Sequence, residues 1–276
     1  MNTTKKDIDL THTEQYMLSI RLSPDGFSFA VHPKEEKNVM FFRHTPVNVQ
    51  RSMAANVKSF LAQTPELNAE YYQTNILIHT LRYTTVPLEL FEDEQMETIF
   101  YQNLPMRNNE IVLCNILGNS NVVVLFSIDK LTHVFLSERF PRIRFFATVS
   151  SQLEHLTLLS KQKGGRKIYA NLHTDNMEVF CFEYGKLQLA NTYPVNNNED
   201  RSYYLLNLWK QLEYDAEQDE LHLTGASQEE RNELIGFLRQ FILKIFIINP
   251  RTGTSDASES MSEDIPFDIQ SLLICE

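Results

Sequence analysis

The residues able to do chemistry are spread along the chain without the spacings that catalytic or metal sites require. The eight histidines include no HExxH motif and no pair four residues apart, so the sequence predicts no metal site. No GxSxG or GxxxxGK[ST] motif occurs, which argues against a nucleophile elbow and a Walker A phosphate loop. Acidic runs at 92–94 and 215–220 match a helix start and a turn, and we interpret them as solvated surface. These patterns indicate no catalytic residue.

The elements that would position functional residues begin with strands. Apolar and polar residues alternate over 16–22 and again over 27–31, and the Asp25-Gly26 pair between them is a hairpin signal. The spacing then becomes that of a helix, with its apolar face at Met53, Val57, Phe60 and Leu61. Further strands and helices are predicted up to residue 159.

The same order of elements restarts after a polar, basic segment at 161–166, which holds the one Gly-Gly pair of the sequence. Strands are predicted at 168–172, 177–182, 187–193, 220–223 and 245–248, with helices after the third and the fourth. Ser227 and Glu230 have the spacing of a capping box at the second of these helices. Both halves therefore predict the order strand–strand–strand–helix–strand–helix, with a further strand.

Composition restricts the class of protein. The 276 residues exceed one average domain of roughly 100–200 residues, which predicts two domains. The net charge of −11 argues against a nucleic-acid partner, because such binding depends on Lys and Arg neutralising phosphates. Three cysteines without CxxC spacing fit a reducing compartment. We expect a cytoplasmic protein with no signal peptide, since residues 1–9 lack an apolar run, and with no membrane span.

The repeated plan resembles the actin-like ATPase fold, a ribonuclease-H-like fold shared by sugar kinases, the Hsp70 ATPase domain and pilus-assembly actin homologues. Residues 167–180 resemble its second phosphate-binding hairpin, 182–189 the strand–Gly–strand that follows, and 221–227 the turn that cradles adenosine. Residues 86–94 are similar to a segment of an uncharacterised bacterial family with this fold. The resemblance implies an α/β protein of two actin-like domains, each a mixed sheet with a three-stranded antiparallel meander flanked by helices.

The resemblance also implies a nucleotide site, whose second hairpin in the family carries Asp-x-Gly-x-x-Thr/Ser. The Asp there holds Mg²⁺ through water, and the Gly lets backbone amides approach phosphate oxygens. Here Asn171 replaces the Asp, His173 replaces the Gly, and Asn176 stands where the hydroxyl is expected, which leaves Thr174 as the nearby hydroxyl. His173 could also simply be a turn residue that tolerates left-handed φ. If the hairpin is shifted by one residue, Asp175 could supply the missing carboxylate.

The two other nucleotide motifs are altered as well. The first hairpin turn, Ser23 to Gly26, has no Asp-x-Gly on its first strand. At the adenosine turn Gly225 is kept, but Ala226 replaces the second Gly, and Ser227 follows. We therefore expect a vestigial nucleotide site with no catalytic residue and no metal ligand, formed by Asn171, His173, Thr174, Gly225 and Ser227.

From these observations we predict a non-catalytic binding or interaction protein with an unidentified protein partner and no cofactor. The alternative is an active ATP-binding and ATP-hydrolysing enzyme with divergent phosphate loops, whose cofactor would be Mg·ATP. We predict domains at 1–161 and 166–276, the second with a mobile insertion at 250–263 composed of small, polar residues. The arginines at positions 139, 142 and 144 could contact an acidic partner or could be alternate residues of an edge strand.

Overall fold

The computed structural model describes residues 3–4, 10–34, 39–248 and 265–275, with the backbone alone described at 3–4, 10–11 and 163. Within these residues the chain forms fourteen strands and seven α-helices. In chain order they are β1 (Thr3–Thr4), β2 (Tyr16–Ser23), β3 (Gly26–Pro33), β4 (Phe41–Thr45), α1 (Met53–Gln63), β5 (Gln73–Ile78), β6 (Tyr83–Pro87), α2 (Met96–Asn103), β7 (Glu110–Leu117), β8 (Val122–Asp129), α3 (Lys130–Arg139), β9 (Ile143–Ala147), α4 (Thr148–Lys163), β10 (Arg166–Leu172), β11 (Asn176–Glu183), β12 (Lys186–Pro194), α5 (Asn198–Gln211), β13 (Glu220–Gly225), α6 (Gln228–Leu238), β14 (Lys244–Ile247) and α7 (Phe267–Cys275).

The chain divides into two compact units, the first formed by Met1–Ser151 with Glu259–Glu276 and the second by Gln152–Ser258. We call them the first and second domains. This division falls inside α4, whereas the boundary expected from the sequence lies at 161–166, just after that helix. The helix continues to Lys163 and β10 begins at Arg166, so Gly164 and Gly165 are the whole connection between them. The 161–166 boundary stays a prediction.

The main sheet of the first domain has the strand order β1-β4-β3-β2-β5-β9. Strands β2, β3 and β4 form an antiparallel meander, and β5 and β9 continue the sheet in parallel with β2. Alternation along β2 places Leu18, Ile20 and Leu22 on one face, where they are buried. Helix α1 contributes Phe60 to the first domain's core, with its ring centroid 5.6 Å from that of Phe27 and 6.3 Å from that of Phe29.

A second, three-stranded sheet with the order β6-β8-β7 is inserted between β5 and β9. Its apolar face packs with α2 around the fully buried Phe100. Both ladders of this sheet are antiparallel, and β8 runs directly into α3, whose first residue follows the N-cap Asp129. Because β7 and β8 are antiparallel, the start of β7 lies next to the end of β8 in this inserted sheet.

The C-terminal helix α7 belongs to the first domain. Its Ile269, Leu272 and Leu273 are buried in a cluster with Phe42 of β4 and Leu77 of β5. The sequence predicts a domain at 166–276, which would include these residues. The difference arises because an apolar helix face is stabilised by any complementary buried surface, and sequence distance does not restrict which one. The expected insertion at 250–263 lies outside the described residues.

The five-stranded sheet of the second domain has the order β12-β11-β10-β13-β14. Its meander β10–β11–β12 is antiparallel, and β13 and β14 follow in parallel, which is the connectivity of the first domain's sheet. Alternate residues of β10, Ile168, Ala170 and Leu172, are buried with residues of α5 and α6 such as Trp209 and Leu234. The prediction of an αβ plan that occurs twice is confirmed.

Candidate functional site

The candidate site is the hairpin between β10 and β11 in the second domain. Residues 173–175 form the turn, closed by a hydrogen bond of 2.9 Å from the His173 amide to the Asn176 carbonyl. Thr174 and Asp175 are exposed at the tip, and Asp175 Oδ1 accepts a hydrogen bond from Asn176 Nδ2 at 2.7 Å. His173 does not adopt a positive φ, so the left-handed conformation considered for it does not explain its presence.

A buried carboxylate organises this hairpin. Glu178 lies directly across the β10–β11 ladder from Asn171 and is 1% exposed. Its Oε2 accepts from Asn171 Nδ2 at 3.1 Å and from Gln152 Nε2 at 2.7 Å, and lies 2.9 Å from His173 Nε2. A further bond of 2.9 Å joins Asn171 Nδ2 to Gln152 Oε1. We call Gln152, Asn171, His173 and Glu178 the hairpin network.

The physical role of the hairpin network follows from the cost of burying charge. An ionised carboxylate away from water is destabilising unless it is hydrogen-bonded. Gln152 and Asn171 donate those hydrogen bonds here, and His173 Nε2 contacts the same oxygen, so the polar groups of all three side chains point at a carboxyl group of the protein itself. The network therefore stabilises the hairpin while it uses the groups that would otherwise face an anionic ligand.

Arg201 of α5 fixes the backbone of the turn. The side chain is 3% exposed and donates from Nη2 to the His173 carbonyl at 2.8 Å. Its Nη1 donates to Asn198 Oδ1 at 2.8 Å and lies 3.4 Å from Glu230 Oε1. Because the carbonyl of the turn is held by a buried guanidinium, the hairpin is attached to both α5 and the start of α6.

The turn from β13 to α6 lies beside the hairpin. Gly225 has φ of +73°, and a Cβ there would be 2.3 Å from the Leu172 carbonyl oxygen and 2.7 Å from Asn171 Oδ1. The amide of Ala226 donates to the same Leu172 carbonyl at 2.9 Å. Ser227 forms the expected capping box with Glu230, so its hydroxyl is engaged with the helix. Hydrogen bonding to Ser227 lowers the pKa of Glu230.

The structure thus brings together three of the five predicted site residues, Asn171, His173 and Gly225. Thr174 is at the exposed tip of the turn, and Ser227 caps α6. The sequence patterns did not indicate Gln152, Glu178 and Arg201 as site residues. A signal existed for Glu178, since an acidic residue within the apolar strand from Met177 to Phe182 is exceptional. Gln152 and Arg201 sit in ordinary helical patterns that carry no such signal.

The corresponding hairpin of the first domain, between β2 and β3, is held by an ion pair. Arg21 is 3% exposed and donates from Nε to Asp268 Oδ2 at 2.7 Å and from Nη1 to Asp25 Oδ1 at 3.0 Å. Burial opposes the charge on Arg21, but the two carboxylates outweigh it and raise its pKa above the ordinary value. Ser151 Oγ donates to the Asp268 carbonyl at 2.9 Å. The Arg21 guanidinium is therefore already hydrogen-bonded to α7 and to the turn of its own hairpin.

Two mixed sheets with the same meander and the same parallel extension define the class of the actin-like ATPase fold. A protein of unknown function with that fold from Bacteroides thetaiotaomicron superposes with a TM-score of 0.87 at 42% sequence identity, over 98% of this chain and 99% of that one. A structure of the PilM-PilN type IV pilus biogenesis complex gives a TM-score of 0.60 at 11% identity, over 94% and 98%.

The chain belongs to the family described as "Protein of unknown function (DUF3822)", which it matches over residues 5–245. No curated protein proved similar to this chain. Among the described residues, no helix combines the length and the apolar character that a membrane span requires. The resemblance to an uncharacterised family with the actin-like fold is confirmed.

Proposed function

We propose that this protein is a non-catalytic binding or interaction protein that keeps the actin-like fold and has lost its nucleotide chemistry. The observation that carries the proposal is the position of Glu178, a buried carboxylate bonded to Asn171, His173 and Gln152 in the phosphate-type hairpin. A site for polyphosphate needs unoccupied donors and a positive field. This hairpin has its side-chain donors occupied and a negative charge at their centre.

Binding of Mg·ATP at this hairpin would be opposed by two physical effects. A phosphate oxygen near Glu178 would face a like charge in a region of low dielectric, where repulsion is stronger than in water. To reach the donors it would also have to displace the carboxylate, which would then be buried without its hydrogen bonds. Losing a charge-assisted contact costs about 1.5–3 kcal/mol, roughly a factor of ten to a hundred in affinity. We therefore expect binding in the millimolar range or weaker.

Gly225 matches a glycine of the turn that cradles adenosine in the actin-like fold, but its presence does not argue for nucleotide binding here. Gly225 has positive φ, and its missing Cβ leaves the space occupied by the Leu172 carbonyl. Packing between β13 and β10 requires a glycine at this position whether or not a ligand binds. In addition, Arg231 donates from Nη1 to the Gly225 and Ala226 carbonyls, so contacts within the protein occupy the turn.

Calorimetric titration with Mg·ATP tests the proposal, with turnover of ATP measured in parallel. We expect a Kd in the millimolar range or weaker and no hydrolysis. If Glu178 is what excludes phosphate, Glu178→Gln should bind Mg·ATP more tightly than the wild type. Glu183→Gln, on the same strand and 37% exposed, should not. A micromolar Kd that is weakened by Asp175→Ala would contradict the proposal and favour the ATP-dependent enzyme.

We further propose that the partner is another protein. In the PilM-PilN complex this fold takes part in a protein–protein assembly, and the net charge of −11 disfavours nucleic acid here. The three free cysteines fit the reducing cytoplasm, and burial raises the pKa of Cys181 to about 12, which makes this thiol unreactive. Affinity capture from a native bacterial lysate with and without Mg·ATP provides the test. A captured protein retained equally under both conditions supports the proposal, and capture that depends on ATP contradicts it.

A further inference from the structure

A cavity of about 270 Å³ lies wholly within the first domain. It is situated where β2 and β5 end, since Leu22 and Ile78 line it. These strands are adjacent and parallel, and β3 and β9 extend the sheet from them in opposite directions. The space outside the carboxyl ends of such a strand pair is where α/β sheets commonly bind ligands. Met53 and Ile128 add to its apolar lining.

Two arginines supply positive charge to the cavity. Arg82 is paired with Glu110 through Nε at 2.9 Å and Nη2 at 2.7 Å, and Nη2 also donates to the Pro105 carbonyl at 2.8 Å. Its Nη1 donates to none of the described residues. Arg107 is exposed, and within the described part of the chain its guanidinium makes no hydrogen bond or ion pair. The cavity thus presents one cation that the protein does not neutralise.

One carboxylate of the lining is likewise not neutralised by a cation. Asp129 uses Oδ2 to accept from the Thr132 amide at 2.8 Å and from Thr132 Oγ1 at 2.7 Å, as the N-cap of α3. Among the described residues no Lys, Arg or His pairs with Asp129, and its Oδ1 accepts no hydrogen bond. Glu110, in contrast, is held by Arg82 and by the Arg107 amide at 3.1 Å. The unpaired charges of the cavity are therefore Arg107 and Asp129, of opposite sign.

We propose that this cavity binds a small zwitterion, namely an α-amino acid with an aliphatic side chain. Its carboxylate would be recognised by Arg107 together with Arg82 Nη1, and its ammonium group by Asp129. The side chain would contact Leu22, Met53, Ile78 and Ile128. The volume of about 270 Å³ is large enough for a molecule of the size of leucine. A dianionic phosphate fits less well, because Asp129 and Glu110 face the same space. This inference is independent of the proposal for the second domain.

Calorimetric titration with L-leucine, isocaproate and isoamylamine tests the proposal. These three probes share the aliphatic chain, and the last two lack the ammonium group and the carboxylate respectively. L-leucine should bind and raise the thermal midpoint, and each analogue should bind about tenfold to a hundredfold more weakly, because each lacks one charge-assisted contact. L-valine and L-methionine serve as further members of the class.

Two variants and a control assign the binding to this cavity. Arg107→Gln and Asp129→Asn should each weaken L-leucine binding about tenfold to a hundredfold. Asparagine is as good an N-cap as aspartate, so Asp129→Asn keeps the start of α3. Arg144→Gln, an exposed arginine of β9 outside the cavity, should leave binding unchanged. The proposal is overturned if none of the three amino acids binds, if isocaproate or isoamylamine binds as tightly as leucine, or if Asp129→Asn binds like the wild type.

Discussion

Arg21 and Asp268 form a buried ion pair between residues 247 positions apart, with Arg21 Nε 2.7 Å from Asp268 Oδ2. Both side chains are nearly inaccessible, at 3% and 1% exposure. The pair joins the end of β2 to the first turn of α7. The ion pair thus links α7 to β2, the strand that begins the antiparallel meander of the first domain.

We expect Asp268→Asn to destabilise the first domain by about 3–5 kcal/mol, because it leaves Arg21 buried without its charged partner. The matched control is Asp25→Asn, which removes the other carboxylate on Arg21. Asp25 is 46% exposed, so its loss should cost less than about 1 kcal/mol. The single tryptophan lies in the second domain, so the measurement is hydrogen exchange of β2 amides. If Asp268→Asn and Asp25→Asn destabilise the first domain equally, Asp268 is not the dominant partner of Arg21.

Gly225→Ala should destabilise the second domain by at least about 2 kcal/mol, since alanine is disfavoured at positive φ and its Cβ would overlap the Leu172 carbonyl. Gly236→Ala provides the comparison. Gly236 is an exposed residue within α6, and a Cβ there would meet nothing within 4 Å, so alanine should stabilise by about 0.5–1 kcal/mol. Urea unfolding followed by Trp209 fluorescence measures both. If Gly225→Ala leaves the free energy of unfolding unchanged, the turn can relax away from Leu172.

Ser227→Ala should cost about 1 kcal/mol at neutral pH through loss of the α6 cap. The Ser227 hydrogen bonds lower the pKa of Glu230 in the folded state. Glu230 therefore contributes stability that is full above its unfolded pKa of about 4.3 and is lost as the pH falls through the lower folded value. The difference between wild type and Ser227→Ala should shrink below about pH 4. Glu230→Gln, which can keep the capping box without a charge, should lack this pH dependence in denaturant titrations.

The side chain of Asn115 in β7 forms hydrogen bonds with backbone groups of β9, an edge strand of the first domain's main sheet. Its Nδ2 donates to the Phe145 carbonyl at 2.8 Å, and its Oδ1 accepts from the Ala147 amide at 3.0 Å. Asn115→Leu should therefore cost about 1–3 kcal/mol for each buried backbone group left without a partner, and the Ala147 amide should exchange faster with solvent. Ile116→Thr, at the neighbouring position that is 61% exposed, should change neither quantity. Unchanged protection of Ala147 in Asn115→Leu would show that another group pairs with this edge.

Local order was predictable because it depends on nearest neighbours. The Asp25-Gly26 pair indicated the β2–β3 hairpin, and Ser227 with Glu230 indicated the cap of α6, and the structure contains both. Period-two and helical spacing likewise gave the repeated meander. These features depend on interactions within a few residues or on the burial of one face, and a single sequence contains both kinds of information.

The hairpin that carries the candidate site followed from the sequence, but the contacts of its side chains did not. Asn171 and His173 attracted attention as replacements at a phosphate-type hairpin, yet their role is set by Glu178 across the ladder and by Gln152 from α4. A side chain in a loop or strand has many potential partners, and which one it bonds depends on register and helix packing. The same is true of Arg82, Arg107 and Asp129, which are distant in sequence and line one cavity.

The sequence by itself determined the order of the elements within the repeated plan, the β2–β3 turn and the cap of α6, and the acidic character of the protein, because these follow from local spacing and from composition. The tertiary structure alone decided that α7 packs on the first domain, that Arg21 pairs with Asp268, and that Glu178 occupies the donors of the hairpin. The physical reason is that burial and ion pairing reward any surface or charge that fits, and their energies do not depend on how far apart the partners lie along the chain.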